Sequence, residues 1–266
     1  MAVTARGARL TDIHRRRQVR MAITADSQAR RLWDATLDMN DLDGSQERWR
    51  EAMLNLIQKW WKVSAEEAQN YMPRFRLAET GDDLGRIVVA MPRFDRATAA
   101  RDLEWLGGAN VKWHIGHGDD LQSAYSKARS LFVGSFHEAV LTGGRSTIRE
   151  WADKDTRAIG WRRVSDGDPC AFCAMLVGRG PVYRSSATAA ATAEGGKFHN
   201  FCGCTVEVVY GDWQPNELEA QWVDAYFAAS SRFERGQKTQ ENVLPLMRAN
   251  GSFRDSPSRR KKSPKV

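Results

Sequence analysis

All four cysteines of this 266-residue chain fall within one stretch, as Cys170-Ala171-Phe172-Cys173 and, after a gap, His199-Asn200-Phe201-Cys202-Gly203-Cys204. A Cys-x-x-Cys turn aims two thiolates at one point. A second close pair arriving from elsewhere in the chain completes a tetrahedral, soft-ligand site suited to zinc. Five side chains compete for four positions, so four of Cys170, Cys173, Cys202, Cys204 and His199 are expected to bind, or four thiolates bind and the imidazole supports them from behind.

The same residues permit two disulfides, or reduced thiols with no role. The N-terminus shows no secretory segment, which points to a reducing compartment where clustered cysteines serve as ligands. A site closed by four protein ligands leaves no position for water or substrate, so the expected zinc is structural. A thioredoxin-like role finds no βαβ context around Asp168-Pro169 and Ala174-Met175-Leu176.

Further residues extend the pattern: Trp161-Arg162-Arg163-Val164-Ser165-Asp166 before Asp168-Pro169-Cys170, a glycine at 178, and the apolar run Thr205–Tyr210 after Cys204. This arrangement, from Ile159 to Tyr210, resembles the MuF-like minor head proteins of tailed phages, in the form found in phages of actinobacteria. Asn200 and Gly203 stand where that family usually has proline and arginine. The resemblance implies a minor capsid protein of the virion, associated with the portal vertex and acting in head morphogenesis. Its implied partners are the portal protein and the major capsid protein, with DNA packaging nearby.

Charge sharpens the picture. The net charge is +7, yet residues 1–20 and 251–266 each carry +5, which leaves −3 on the body. Basic ends on an acidic body suit a polyanion or an acidic surface, and equally serve solubility. Arg15, Arg16 and Arg17 at one end and Arg259, Arg260, Lys261 and Lys262 at the other are the candidate nucleic-acid contacts, neutralising phosphates of packaged DNA without reading sequence. Ser256 to Lys265 holds nothing apolar to bury and is expected to be disordered. The apolar run Ile87–Met91 is far too short to span a bilayer, so no membrane is expected. Synthesis in the host cytoplasm and assembly into a particle follow as the expected location.

Read in order, the chain is mostly helical. Helices are expected from about Arg9 to Met39, from a Ser45 N-cap through Trp60, and from Ser64, where Ser64-Ala65-Glu66-Glu67 forms a capping box. Pro73 is expected to bend or break the third. A short strand at Arg86–Ala90 and a helix from Asp95 to Leu106 follow. The widest apolar stripe runs from Asp119 to Leu141, where Gly143-Gly144 should stop it. Another helix opens at Ser146 and Thr147, then strands Ile159–Val164 and Thr205–Tyr210 pair so that the metal clamps their ends. Ser185–Glu194 reads as a weak helix or loop. Helices carrying Leu218, Trp222, Tyr226 and Phe227, and then Val243 to Met247, complete the body.

The expected class is α+β, a predominantly helical body with a small strand-containing Cys/His module. Its parts are a basic N-terminal arm (1–20), a helical domain (21–143), the MuF-like module (144–212), C-terminal helices (213–250) and a disordered basic tail (251–266). The expected role is structural, with no enzyme activity and no small-molecule substrate. The alternatives are a capsid maturation protease and a zinc-containing nucleic-acid binder. For the protease, Ser135 with His137 and Ser123 with His117 are the available pairs, in no recognisable setting. Against the nucleic-acid binder, Asp166 and Asp168 flank the first cysteine pair with the wrong sign for phosphate. His114 and His117, beside Trp113, lack a local cluster that would make them ligands.

Overall fold

A computed structural model describes residues 4–81, 87–181 and 198–257. Three long helices form the frame: α1 (Ala5–Thr36), α2 (Leu42–Thr80) and α5 (Leu121–Lys154). Between α2 and α5 lie α3 (Arg96–Glu104), a π-helical turn (Trp105–Ala109) and α4 (Asn110–Gly116). Then come β1 (Gly160–Val164), α6 (Ala171–Gly178), β2 (Thr205–Val209), α7 (Glu217–Ser230), a short 3₁₀ turn (Arg235–Gln237) and α8 (Gln240–Asn250). The fold is α+β and mostly helical, its sheet among the described residues one antiparallel pair with Gly160 opposite Val209 and Val164 opposite Thr205.

The frame is held by aromatic packing. Trp33 of α1 meets Trp49 of α2 edge-on at 5.2 Å, and Phe132 of α5 lies 5.3 Å from each ring. All three side chains are fully buried, and such pairs add to the stabilisation that burial alone provides. Tyr125 of α5 donates from its hydroxyl to the Leu37 carbonyl at 2.9 Å, which fixes the end of α1.

Several expected boundaries dissolve into longer helices. Ser64 does not open a helix: it is buried within α2, donates to Gln18 Oε1 at 2.7 Å and accepts from the Gly144 amide at 2.9 Å. Its hydroxyl thus joins three helices, and the local capping box yields to this tertiary use. Ser45 likewise lies inside α2, which Asp41 caps instead. Pro73 is carried within α2, where buried Met72 and Phe75 on either side hold the helix to the core. Gly143 and Gly144 do not stop α5; they let it lie against α2 more closely than a side chain would permit. The expected division at 143/144 therefore falls inside one helix.

The basic N-terminal region belongs to α1, with Thr11, His14 and Gln18 buried. At the other end, Phe253 and Ser256 are buried, so residues 251–257 are part of the fold rather than the start of a disordered tail. Described residues 87–90 form no strand, and the stretch Ser185–Glu194 lies outside the described residues.

Two buried ionic groups fasten the sheet to the helices. Arg162 of β1 bonds Glu207 of β2 at 2.8 Å and Glu219 of α7 at 2.7 Å, while Thr11 of α1 donates to Glu207 at 2.6 Å. Asp155, just past α5, accepts from Arg76 of α2 at 2.7 Å and from the Tyr210 hydroxyl at 2.9 Å.

Candidate metal centre

The sheet delivers the two halves of the cysteine cluster to one place. Leaving β1, the chain passes Pro169 and turns into α6 with Cys170 as its N-cap, whose sulfur accepts from the Cys173 amide at 3.4 Å. The N-terminus of α6 favours negative charge on these sulfurs. Its first amide, Ala171, donates to Asp255 at 2.8 Å, and Asp255 is held by Arg248 at 2.6 Å. The second half is a tight turn closed by the Cys202 amide on the His199 carbonyl at 3.1 Å, with Phe201 at φ +57°. A side chain larger than asparagine rarely takes that conformation. Gly203 admits the Asp166 carboxylate so closely that a β-carbon there would lie 2.7 Å from its Oδ2.

All four cysteines are free thiols and buried. His199 Nε2 lies 3.1 Å from Cys170 Sγ and 3.2 Å from Cys173 Sγ, and Cys173 Sγ lies 3.5 Å from Cys202 Sγ. The edges of a tetrahedral zinc site with sulfur and nitrogen ligands are about 3.5–3.8 Å, from bond lengths near 2.0–2.3 Å. Two trios have their ligand atoms mutually within 4.8 Å, Cys170–Cys173–His199 and Cys173–Cys202–Cys204, so Cys173 is common to both. The structure thus brings together all five candidates named from sequence, and the cluster could hold a metal ion.

The donor chemistry fits a metal. His199 Nδ1 lies 2.8 Å from the Asn200 carbonyl, which accepts its proton, so Nε2 toward the sulfurs is the nitrogen that would bind a metal on losing its own proton. Without a metal the cluster shares protons. The Cys170 thiol is pushed down to about 5 by the hydrogen bond from Cys173 and by His199, while Cys173 is pushed up by Cys170 and Cys202. Cys202 is held low by bonds from Cys173 and Cys204, and His199 is raised to about 10 by Cys170 and Cys202. A thiolate is the form that binds metal, so the cluster is partly prepared for it.

Arg145 and Asp255 were not anticipated as parts of this site. Arg145 donates to the carbonyls of Cys202 at 2.5 Å and Cys204 at 2.8 Å. Its signal is present in the sequence: it continues the apolar stripe between Leu141 and Ile148, visible once the helix is known to pass Gly143-Gly144.

The other candidates lie elsewhere. Arg15 and Arg16 both pair with Asp12, at 2.7 and 2.9 Å, and Arg17 pairs with Glu67 at 3.0 Å. Arg259, Arg260, Lys261 and Lys262 are outside the described residues. Ser135 bonds Asn200 at 3.5 Å and His137 bonds Asp26 at 2.8 Å, so each faces a partner other than the other. The Ser123 amide is capped by Asp120, and His117 Nδ1 donates to the Trp113 carbonyl at 2.7 Å. His114 meets Asp119 at 3.1 Å. Among the described residues no helix is long and apolar enough to cross a membrane.

A profile of the VG15 protein family matches residues 7–229, which takes in every candidate ligand. No curated protein and no solved structure matches the chain. The matched span is most of the sequence, from the first turn of α1 almost to the end of α7, and the chain therefore belongs to the VG15 protein family, a family of viral (phage) proteins.

Proposed function

We propose that this chain is a minor capsid protein of a tailed phage, acting in head morphogenesis at the portal vertex in the manner of the MuF-like minor head proteins. Its role is structural rather than catalytic. The Cys/His cluster holds a structural zinc that clamps the ends of β1 and β2. Binding energy at such a site is folding energy, and it secures a module with only two short strands.

One observation carries the reading. The Cys-x-x-Cys and His-x-x-Cys-x-Cys segments on which the resemblance to MuF-like proteins rests converge on one buried cluster in a chain of a phage family. The all-sulfur and imidazole donor set supports a closed zinc site over a catalytic one. The partners in this reading are the portal protein and the major capsid protein. Packaged DNA contacts the basic ends, chiefly Arg259, Arg260, Lys261 and Lys262, since Arg15, Arg16 and Arg17 are already engaged by carboxylates. The virion is the expected location.

The test is co-expression of the tagged chain with the portal and major capsid proteins of its own phage, with proteomic analysis of purified virions. Co-purification with the portal and presence in the virion support the proposal. Absence from both virions and assembly intermediates, with no portal binding, overturns it. Capsid cleavage that depends on Ser135 or Ser123 would replace it with a maturation protease. Salt-sensitive DNA binding that survives neutralisation of both basic ends would replace it with a zinc-containing nucleic-acid binder.

A further inference from the structure

Phe198, immediately before His199, packs against two guanidinium groups. Arg145 of α5 lies 3.7 Å from the ring centroid and Arg163 of β1 lies 3.8 Å from it. Both distances are within cation–π range of the ring. Both arginines are buried, at 2% and 0% exposure. Arg145 spends Nε and Nη2 on the carbonyls of Cys204 and Cys202, and its Nη1 has no hydrogen-bond partner. Its hydrogen bonds therefore end on neutral carbonyls. A carboxylate, Glu138, lies nearby, its pKa raised by burial and drawn back by Arg145.

A buried cation is costly without a counter-charge. The sulfurs of Cys202 and Cys204, whose carbonyls Arg145 grips, are able to supply one alongside Glu138. A divalent cation with four thiolates leaves a net charge of about −2, and with three thiolates and a neutral imidazole about −1. Two disulfides would leave none.

We infer that Arg145 is a positioning residue of the metal centre: it fixes the Cys202–Cys204 turn through both carbonyls and, with Arg163 beside it at Phe198, offsets the charge of a thiolate-rich ion complex. This rests on the reading that the cluster holds a metal. It makes metal uptake answer to a residue in the last third of α5, so the centre and the helical frame are coupled through one side chain.

The test uses the full chain with zinc as the probe, comparing wild type with Arg145→Lys and Arg145→Met. Zinc affinity is read by chelator competition, and unfolding midpoints are read with and without zinc. Arg145→Met is expected to weaken zinc binding by roughly 10- to 100-fold, the range found when groups supporting metal ligands are lost. Arg145→Lys keeps the charge and loses the two-carbonyl fork, so it should fall between. The stabilisation conferred by zinc should shrink in the same order. A residue with only a packing role would lower both midpoints in parallel and leave affinity within twofold of wild type, and that result overturns the inference. If Arg145→Met does not fold, Arg145→Lys decides by the same criterion. Wild type that takes up no zinc overturns the metal reading and the inference together; tight, equal binding by all three overturns the inference alone.

Discussion

Gly143 of α5 lies so close to the backbone of Trp61 on α2 that a β-carbon built on it would sit 2.1 Å from the Trp61 carbonyl oxygen. The contact is backbone to backbone, so no side-chain rotation can relieve it. On helix propensity alone, Gly143→Ala would stabilise α5 by about 1 kcal/mol. The expected outcome is the reverse, a net loss of at least ~2 kcal/mol from forced separation of the two helices. Chemical denaturation of the variant checks it, and a gain in stability would refute the close approach.

Cys173 belongs to both ligand trios, so its loss should be the most damaging single change in the cluster. Cys173→Ser is expected to abolish stoichiometric metal binding and to expose residues 159–210 to protease. The Trp33–Trp49–Phe132 packing should remain intact, because it lies in the frame formed by α1, α2 and α5. Metal content per chain and limited proteolysis report the two halves separately. Retention of a full equivalent of metal would contradict the assignment.

His14 is fully buried, stacked on Tyr71 at 4.4 Å, and neither ring nitrogen has a hydrogen-bond partner. Burial, aided by Arg17, pushes its pKa down to about 3 from the ordinary 6.5. The folded ring is thus neutral where the unfolded ring takes up a proton. Stability from this residue is complete above pH 6.5 and declines as pH falls toward 3, by up to about 1.4 kcal/mol per pH unit. His14→Phe should flatten that decline between pH 6 and pH 4 in denaturation measured at successive pH values, and an unchanged slope would count against it.

Arg162 satisfies two buried carboxylates, Glu207 and Glu219, from strand β1. Replacing it with methionine leaves both without their cation, and the expected cost is about 3–5 kcal/mol. Glu219→Gln should cost less, since Arg162 keeps Glu207. Thermal unfolding of the two variants orders them. Equal and small effects would show that the triad contributes little.

The sequence by itself determined the local chemistry. Clustered thiols and an imidazole at ligand spacing marked a candidate metal cluster, and the fold brings these five side chains together. The segments Ile159–Val164 and Thr205–Tyr210 on either side of the cysteines read as a pair of strands, and these are β1 and β2 in the expected pairing. The apolar stripe from Leu121 announced α5, because helical periodicity depends only on the chain's own geometry.

Only the tertiary structure decided where the helices end and what their exceptional residues do. Gly143-Gly144 and Ser64 have the local character of a helix stop and a helix start, yet each serves an inter-helix contact, and packing energy over two long faces outweighs a local preference of about 1 kcal/mol. Phe253, Asp255 and Ser256 looked like the start of a solvated tail, and they became part of the fold because Asp255 meets the first amide of α6 and Phe253 finds an apolar cluster. Arg145 could be seen as a helical residue, but not as the group that holds the carbonyls of Cys202 and Cys204. That role depends on bringing together positions 57 and 59 residues apart, a distance no local pattern in the chain can express.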